Sequence, residues 1–427
     1  MKKYILMALS VCALTACDLA NGEGNASDNA VFMGNPNASG VISMVVSDAK
    51  GGSTFVTPRL ANMAEEAVEV TVSLDEEALA AYNKAAGLAI EPVDANDFVL
   101  VVGGKEYKGS AKVKIEQGQF NGSVEVKMPS VDPEKYGYGT TYAIPLSITG
   151  SSAYKVLSSP KTTIIRLSRQ LVTSVGFFST PGSICLGPSD ELREPIENWT
   201  MQVSMYYPSL GDQSTNQTVM SIQNGTGAFY TRIGKQNGIQ FKHGRDGDDT
   251  WTMKPLETNK WLNITFVHDG SSMSIYVNGE LQKTFDSAPI YFSKASNCCL
   301  FIGNTKYSGV YIREARMWNR CLTLGEIIDK EYLPQDPNDP SLIMYMPFTK
   351  PKQPVEGNLG LEELTGNWTK IGGFKDFADD GQGEGGPTIT YVENVLFPSY
   401  KLEYAEVEEG EEIVSIYTAL KEAADLL

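Results

Sequence analysis

The chain has 427 residues, 42 % of them hydrophobic and 10 % aromatic. That is enough to bury real cores in two or three domains, and it excludes global disorder. A formal net charge of −17 excludes a nucleic-acid partner, because nothing would neutralise phosphates, and disfavours docking on anionic lipid through a basic patch.

At the N-terminus, Lys2 and Lys3 precede the apolar run "YILMALSVCALTA", too short to span a bilayer as a mature helix. It ends in "LTAC", Leu14 to Cys17, with small residues at Thr15 and Ala16. This phrase resembles the lipobox of bacterial lipoproteins, which implies that Cys17 receives lipid and becomes the mature N-terminus. The alternative is an ordinary signal peptide with a chance cysteine. No other run is long enough for a transmembrane helix, so the expected protein is anchored and does not span. Residues 18–30 are small and polar and read as a flexible tether.

Short alternating runs follow, among them "GVISMVVSD", "AVEVTVSLD", "FVLVVGG", "SAKVKIEQG" and "GSVEVKMPS", all separated by Gly, Pro or Asp. Each fits a strand bounded by turns. Only "DEEALAAYNKAAG", Asp75 to Gly87, has helical composition, with Gly as its stop. With "YAIPLSITG" and "KTTIIRLSR" these pieces predict a β-sandwich over 31–168. The order around "VTVSLDEEALAAYN", then "DFVLVV" and "YGTTYAIPLSIT", resembles the N-terminal Ig-like domain of unknown function in surface lipoproteins and chitinase-like glycosidases of Bacteroidota.

Near Leu171 the composition shifts. All five tryptophans, Trp199, Trp251, Trp261, Trp318 and Trp368, lie beyond it. "NWTMQVSMYYP" and "WLNITFVHDGSSMSIYVNGEL" alternate, the second with turn dipeptides at Asp269-Gly270 and Asn278-Gly279. Trp199 and Trp261 lead these strands and read as core. "CCLFIGN" follows, then "GVYIREARMWNRCLTLGEI", which changes period from strand to helix. Thr323 and Glu326 have capping-box spacing, flanked by Leu322 and Ile327 as a staple, so a short helix is predicted from Leu324 and ends before Pro334. On strict alternation Ile312, Glu314, Arg316 and Trp318 share one face, and Ala315 and Met317 the other. Large apolar residues on both faces call for a bulge or for cover on both sides. Glu314 and Arg316 read as a structural ion pair.

Trp261, Tyr276 to Gly279, Ile302-Gly303 and Ile312 to Ile327, in that order, resemble the phrases of the laminin-G/concanavalin-like jelly roll, here over 172–348. One departure is Cys321, where that family commonly carries Ala. The expected fold is therefore all-β: an Ig-like sandwich, a jelly roll, and a C-terminal extension over 349–427. In its acidic end Ile413, Ile416, Tyr417, Leu420, Ala423, Ala424 and Leu427 recur at helical spacing. That helix either packs on its own protein or docks a partner.

Of six cysteines, Cys12 leaves with the signal and Cys17 is committed to lipid. Cys185, Cys298, Cys299 and Cys321 remain, either as buried thiols or with one bridge among them. With only His243 and His268 to add imidazole, and no CxxC pair, a zinc site is not expected.

Concanavalin-like folds include glycosidases, and a retaining mechanism needs two carboxylates about 5 Å apart. No E-x-D-x-x-E phrase occurs. The nearest, "EIIDKE" (Glu326 to Glu331), falls on the capped helix, where its acids read as a solvated face. No Ser-His-Asp set, GxSxG, phosphate loop or HExxH appears either. The resemblance instead implies recognition of a glycan or a protein, sometimes with calcium. Sugar sites combine an exposed aromatic with acids, amides and Arg, and "KHGRDGDDTWTM" holds that mixture in His243, Arg245, Asp246, Asp248, Asp249 and Trp251. The alternative is that Trp251 opens the next strand as core while the acids are solvated. Asp246, Asp248 and Asp249 also suit Ca²⁺, which takes six to eight oxygens, but no EF-hand phrase accompanies them. The expectation is a non-catalytic, glycan-binding, lipid-anchored protein of the outer membrane, facing the cell surface. A protein-binding adhesin or accessory subunit of an outer-membrane complex is the alternative, and a glycoside hydrolase the second.

Overall fold

The computed structural model describes residues 29–34, 39–48, 50–137, 140–189, 196–210, 217–223, 228–234, 237–243, 250–252, 254–287, 299–304, 309–353, 355–356, 358–374, 387–399 and 401–405. The chain is all-β, with two short α-helices among the described residues. The predicted helix α1 spans Glu76–Ala86: Asp75 caps it by accepting from the Ala78 N–H, and Gly87 ends it at φ 68°. A left-handed residue there costs least as glycine.

In the first unit a six-stranded and a four-stranded sheet enclose one core with a small three-stranded sheet. The six-stranded sheet runs Val41–Val46, Thr162–Arg169, Tyr142–Ser151, Val68–Leu74, Ser110–Ile115, with Glu91–Pro92 off its path. Alternation decides what each face does. Ile165 and Leu167 point into the core, while Ile164 meets Leu79 of α1 on the other face. Arg166 shares the parity of Ile164 and so stands on that outer face, yet it is 3 % exposed. Its cover comes from the second unit.

The second unit is a larger sandwich of nine-stranded and seven-stranded sheets over a shared core. It does not end at Phe348. Trp368–Phe374 pairs with Gly182–Pro188 in one sheet, and Ile389–Phe397 pairs with Leu171–Phe178 in the other. The expected extension thus supplies a strand to each sheet of the sandwich. Both lie beside strands formed about 200 residues earlier in the chain, so no local window shows the pairing. Residues 406–427, and with them the C-terminal helix of the sequence reading, lie outside the described residues.

Val310–Trp318 sits inside the nine-stranded sheet, and the expected bulge is present. Gln202 faces Arg316 and Ser204 faces Arg313, so Glu314 and Ala315 together oppose Val203. Glu314 takes φ 55° to make this possible. The bulge changes parity, which corrects the strict alternation. Ile312 joins Ala315 and Met317 in the core between the sheets, while Trp318 belongs to the cluster on the outer face.

That outer face is also covered. The capping box of Thr323 and Glu326 starts α2, Leu324–Asp329, with both reciprocal bonds formed. Leu322 and Ile327 pack with Trp318, Leu342 and Tyr345. A ladder of neutral polar residues on the sheet accepts this cover. Thr200 donates to Arg320 O (2.9 Å), Gln202 to Ile327 O (3.3 Å) and Asn263 to Glu331 O (3.1 Å). Buried backbone carbonyls at the end of a short helix need such donors.

Candidate functional site

The loop chosen from sequence begins at the margin of the seven-stranded sheet. Ile239–His243 and Thr250–Trp251 are antiparallel, Gln240 opposite Trp251 and Phe241 opposite Thr250, and Thr250–Trp251 is the outermost strand. Trp251 is therefore a strand residue in its backbone. Arg245, Asp246, Asp248 and Asp249 lie outside the described residues, as do the side chains of His243 and Trp251, and the calcium expectation lies there with them. Among the described residues no cluster of three or more His, Cys, Asp or Glu could hold a metal.

The other tryptophans are structural. Trp199 is fully buried in the core, and Trp261 is 4 % exposed on the outer face against Tyr206 and Phe397. His268 is buried as well. Its ring stacks on Trp199 (centroids 5.3 Å, 14° between planes), and Nδ1 lies 2.8 Å from Glu197 O. Cys321 is a free thiol whose Sγ sits 3.2 Å from His268 O. The side chains of Cys298 and Cys299 lie outside what is described, so the bridge question rests there.

The acids of the Ile312–Glu331 stretch are closed up in structure. Glu314 accepts from Arg313 (3.0 Å) and Arg316 (2.6 Å), and the Tyr345 hydroxyl donates to it at 2.9 Å. Burial would raise this carboxyl, but the two guanidinium groups outweigh it and hold it below the usual carboxylate range. Arg316 also donates to Gln202 Oε1 (2.9 Å), Leu333 O (2.6 Å) and Lys330 O.

The acids of "EIIDKE" do not form a solvated face. Glu326 closes the cap and pairs with Arg320 at 2.7 Å. Asp329 accepts from Thr141 of the first unit. Glu331, 4 % exposed, pairs with Arg166 at 2.9 Å across the two units. Burial pushes the Glu331 carboxyl up, with the Arg166 charge pulling the other way. Sequence could not find this pair, because its members are 165 positions apart and each stands in an ordinary local phrase.

Beside that pair the two units leave a cleft of about 800 Å³. One wall is the margin of the first unit at Ser39–Ser43. The other is built from residues 254–257, the turn around Asn278–Gln282 and the exposed side of α2, with Arg166, Glu331 and Tyr332 also lining the cleft. Sizes of this order and a place between domains are typical of small-molecule sites.

Residues 182–328 match the family model of the concanavalin A-like lectin/glucanase superfamily. The second unit is a laminin-G/concanavalin-like domain. A model for an N-terminal domain matches residues 27–155. No curated protein sequence matches the chain significantly. Among solved structures, a protein of Bacteroides ovatus described as carbohydrate-binding is 20 % identical with a TM-score of 0.42, covering 80 % of this chain and 97 % of that one. A pentraxin of Limulus polyphemus is 11 % identical (TM-score 0.29; 37 % and 80 %). EndoBT-3987 of Bacteroides thetaiotamicron, solved with a Man5GlcNAc product, is 20 % identical (TM-score 0.25), covering 33 % of this chain and 30 % of that chain. In the laminin-G domain the "I-x-E-x-R-x-W" phrase thus has a physical meaning: it is a bulged strand whose ion pairs hold the capped helix on the outer face.

Proposed function

We propose that this chain is a non-catalytic glycan-binding protein, held at the cell surface of an outer membrane by lipid on Cys17, with a role in polysaccharide capture. The observation that carries the binding reading is the match of 182–328 to a superfamily of lectins and glucanases. Its non-catalytic half is supported by the chemistry of Ile312–Glu331. Glu314 and Glu326 are held by Arg and a cap, and Asp329 by a hydroxyl, whereas a retaining glycosidase needs a pair of acids open to substrate.

Direct contact is assigned to the His243–Trp251 loop, with the indole stacking on the sugar and Arg245, Asp246, Asp248 and Asp249 orienting its hydroxyls. The full chain in detergent should be retained on immobilised polysaccharides of plant, fungal or host origin without releasing reducing ends. Silence across that panel sinks the glycan reading, and reducing ends that disappear in a carboxylate variant restore the hydrolase. EDTA added to the same samples decides calcium: unchanged melting and unchanged retention leave the aspartates as a solvated loop. Cys17→Ala should free the protein from membranes, since acyl chains supply about 0.8 kcal/mol per buried CH₂. Persistent attachment of that variant removes the anchor from the proposal.

A further inference from the structure

The cleft between the two units holds polar groups that the protein itself leaves unused. Gln282 is 3 % exposed, yet its Oε1 accepts no hydrogen bond, and its amide nitrogen reaches only Glu280 O at 3.4 Å. Arg166, 3 % exposed, donates from Nη2 to Glu331 (2.9 Å) and Ser43 Oγ (3.3 Å) and leaves Nε without a partner. Glu331 Oε1 has no partner either. Buried polar atoms are nearly always satisfied, so three orphans on residues lining one cleft call for an explanation.

Charge in the cleft cancels locally. Arg166 pairs with Glu331, Lys254 with Glu280 and Glu257 with Lys260, so a charged ligand would find no free opposite charge in these pairs. The rim adds apolar surface: Leu281 and Leu324 are 45 % and 40 % exposed, large values for leucines that face a cavity. Compensated charges, an amide and hydroxyls beside apolar patches suit a neutral molecule with many hydroxyls and apolar C–H faces. The chain also leads there from the proposed contact loop, because Lys254 begins the cleft wall three residues after Trp251.

We infer that this cleft is a binding site for a short neutral saccharide, built by both units, with the first unit supplying one wall and not merely a spacer. The inference rests on the glycan reading and adds to it a place, a ligand charge and a role for the first unit. Rotation of the Gln282 amide, tethered only by its 3.4 Å bond to Glu280 O, brings the unpartnered oxygen to a sugar hydroxyl.

Two variants probe the walls separately. Gln282→Met removes an acceptor that the fold does not use, so stability should hold or rise while affinity falls. Ser43→Tyr fills the cleft from the first unit. Full-length chain in detergent is titrated with neutral hexasaccharides of β-glucan, mannan, xylan and chitin, and with charged oligogalacturonate and heparin fragments, beside Trp251→Ala. At least one neutral hexasaccharide should bind, and each cleft variant should bind it about tenfold more weakly or worse, Gln282→Met through the lost hydrogen bond and Ser43→Tyr through lost space. Wild-type affinity in Gln282→Met together with loss in Trp251→Ala places the sugar on the loop alone and overturns the cleft while the glycan reading stands. Binding of charged fragments only, unaffected by either cleft variant, also overturns it. No binding of any oligosaccharide to the unmutated chain overturns the cleft and the glycan reading together.

Discussion

Glu314 shows how much a single side chain is asked to do. It is fully buried, takes a left-handed backbone conformation at φ 55°, and is the shared ion-pair partner of two arginines that are themselves 2 % and 0 % exposed. Removing it leaves Arg313 and Arg316 buried and uncompensated, so Glu314→Ala should cost about 3–5 kcal/mol in denaturant unfolding. A cost under 1 kcal/mol would mean that backbone carbonyls hold the guanidinium groups unaided. The pH dependence has a definite sign. A carboxyl held below its unfolded value binds fewer protons in the native state, so its stabilisation is present above the unfolded pKa, near 4, and is lost as pH falls through the folded one. Acid unfolding followed between about pH 5 and pH 2 should steepen in the wild type and be shallower in Glu314→Gln. Glu331 opposes this trend, because its folded value is raised: its contribution is full below the unfolded pKa and fades as pH rises through the folded one.

At the scale of elements, two strands carry the function differently. Val310–Trp318 is covered on both faces and serves as a frame. Thr250–Trp251 is an outermost strand of two residues at the end of the proposed contact loop. Trp251→Ala should therefore weaken sugar binding strongly and leave the melting temperature nearly unchanged. A fall matching the roughly 3–5 kcal/mol typical of truncating a core aromatic would make Trp251 a core residue instead. α2 is only six residues long and would not persist alone. It is held by its capping box, by Gln202 donating to Ile327 O within the helix and by Asn263 donating to Glu331 O just beyond it.

For the molecule as a whole, the α2–Leu333 segment links the two sandwiches. It caps the outer face of the laminin-G domain and presents Asp329 and Glu331 to Thr141 and Arg166 of the first unit. Gly325 reinforces the closeness, since a Cβ there would stand 2.8 Å from Leu88 Cδ1. Glu331→Ala and Arg166→Ala should each cost about 3–5 kcal/mol by stranding the other charge, whereas the double change to Leu and Met should recover most of it. Calorimetry on Glu331→Ala should resolve separate transitions for the two units where the wild type shows one. An unchanged single transition would show that the pair does not couple them.

By itself, the sequence determined the elements whose causes are local. α1 with its Asp75 and Gly87 caps, the Thr323–Glu326 capping box, the strand-rich character of both units and the Glu314–Arg316 pair were all readable, because each depends on residues within a few positions of one another. The need for a bulge was legible in the double-sided apolar pattern of Val310–Trp318, but its position was not. Only pairing with Asn198–Tyr206 placed it at Glu314 and moved Ile312 to the other face. Tertiary structure alone decided the rest. It drew Trp368–Phe374 and Ile389–Phe397 into the second sandwich, brought Asp329 of α2 to Thr141, and set Arg166 against Glu331 with a cleft beside them. These depend on contacts between residues far apart in the chain, whose energies come from burial and charge pairing that no local window contains.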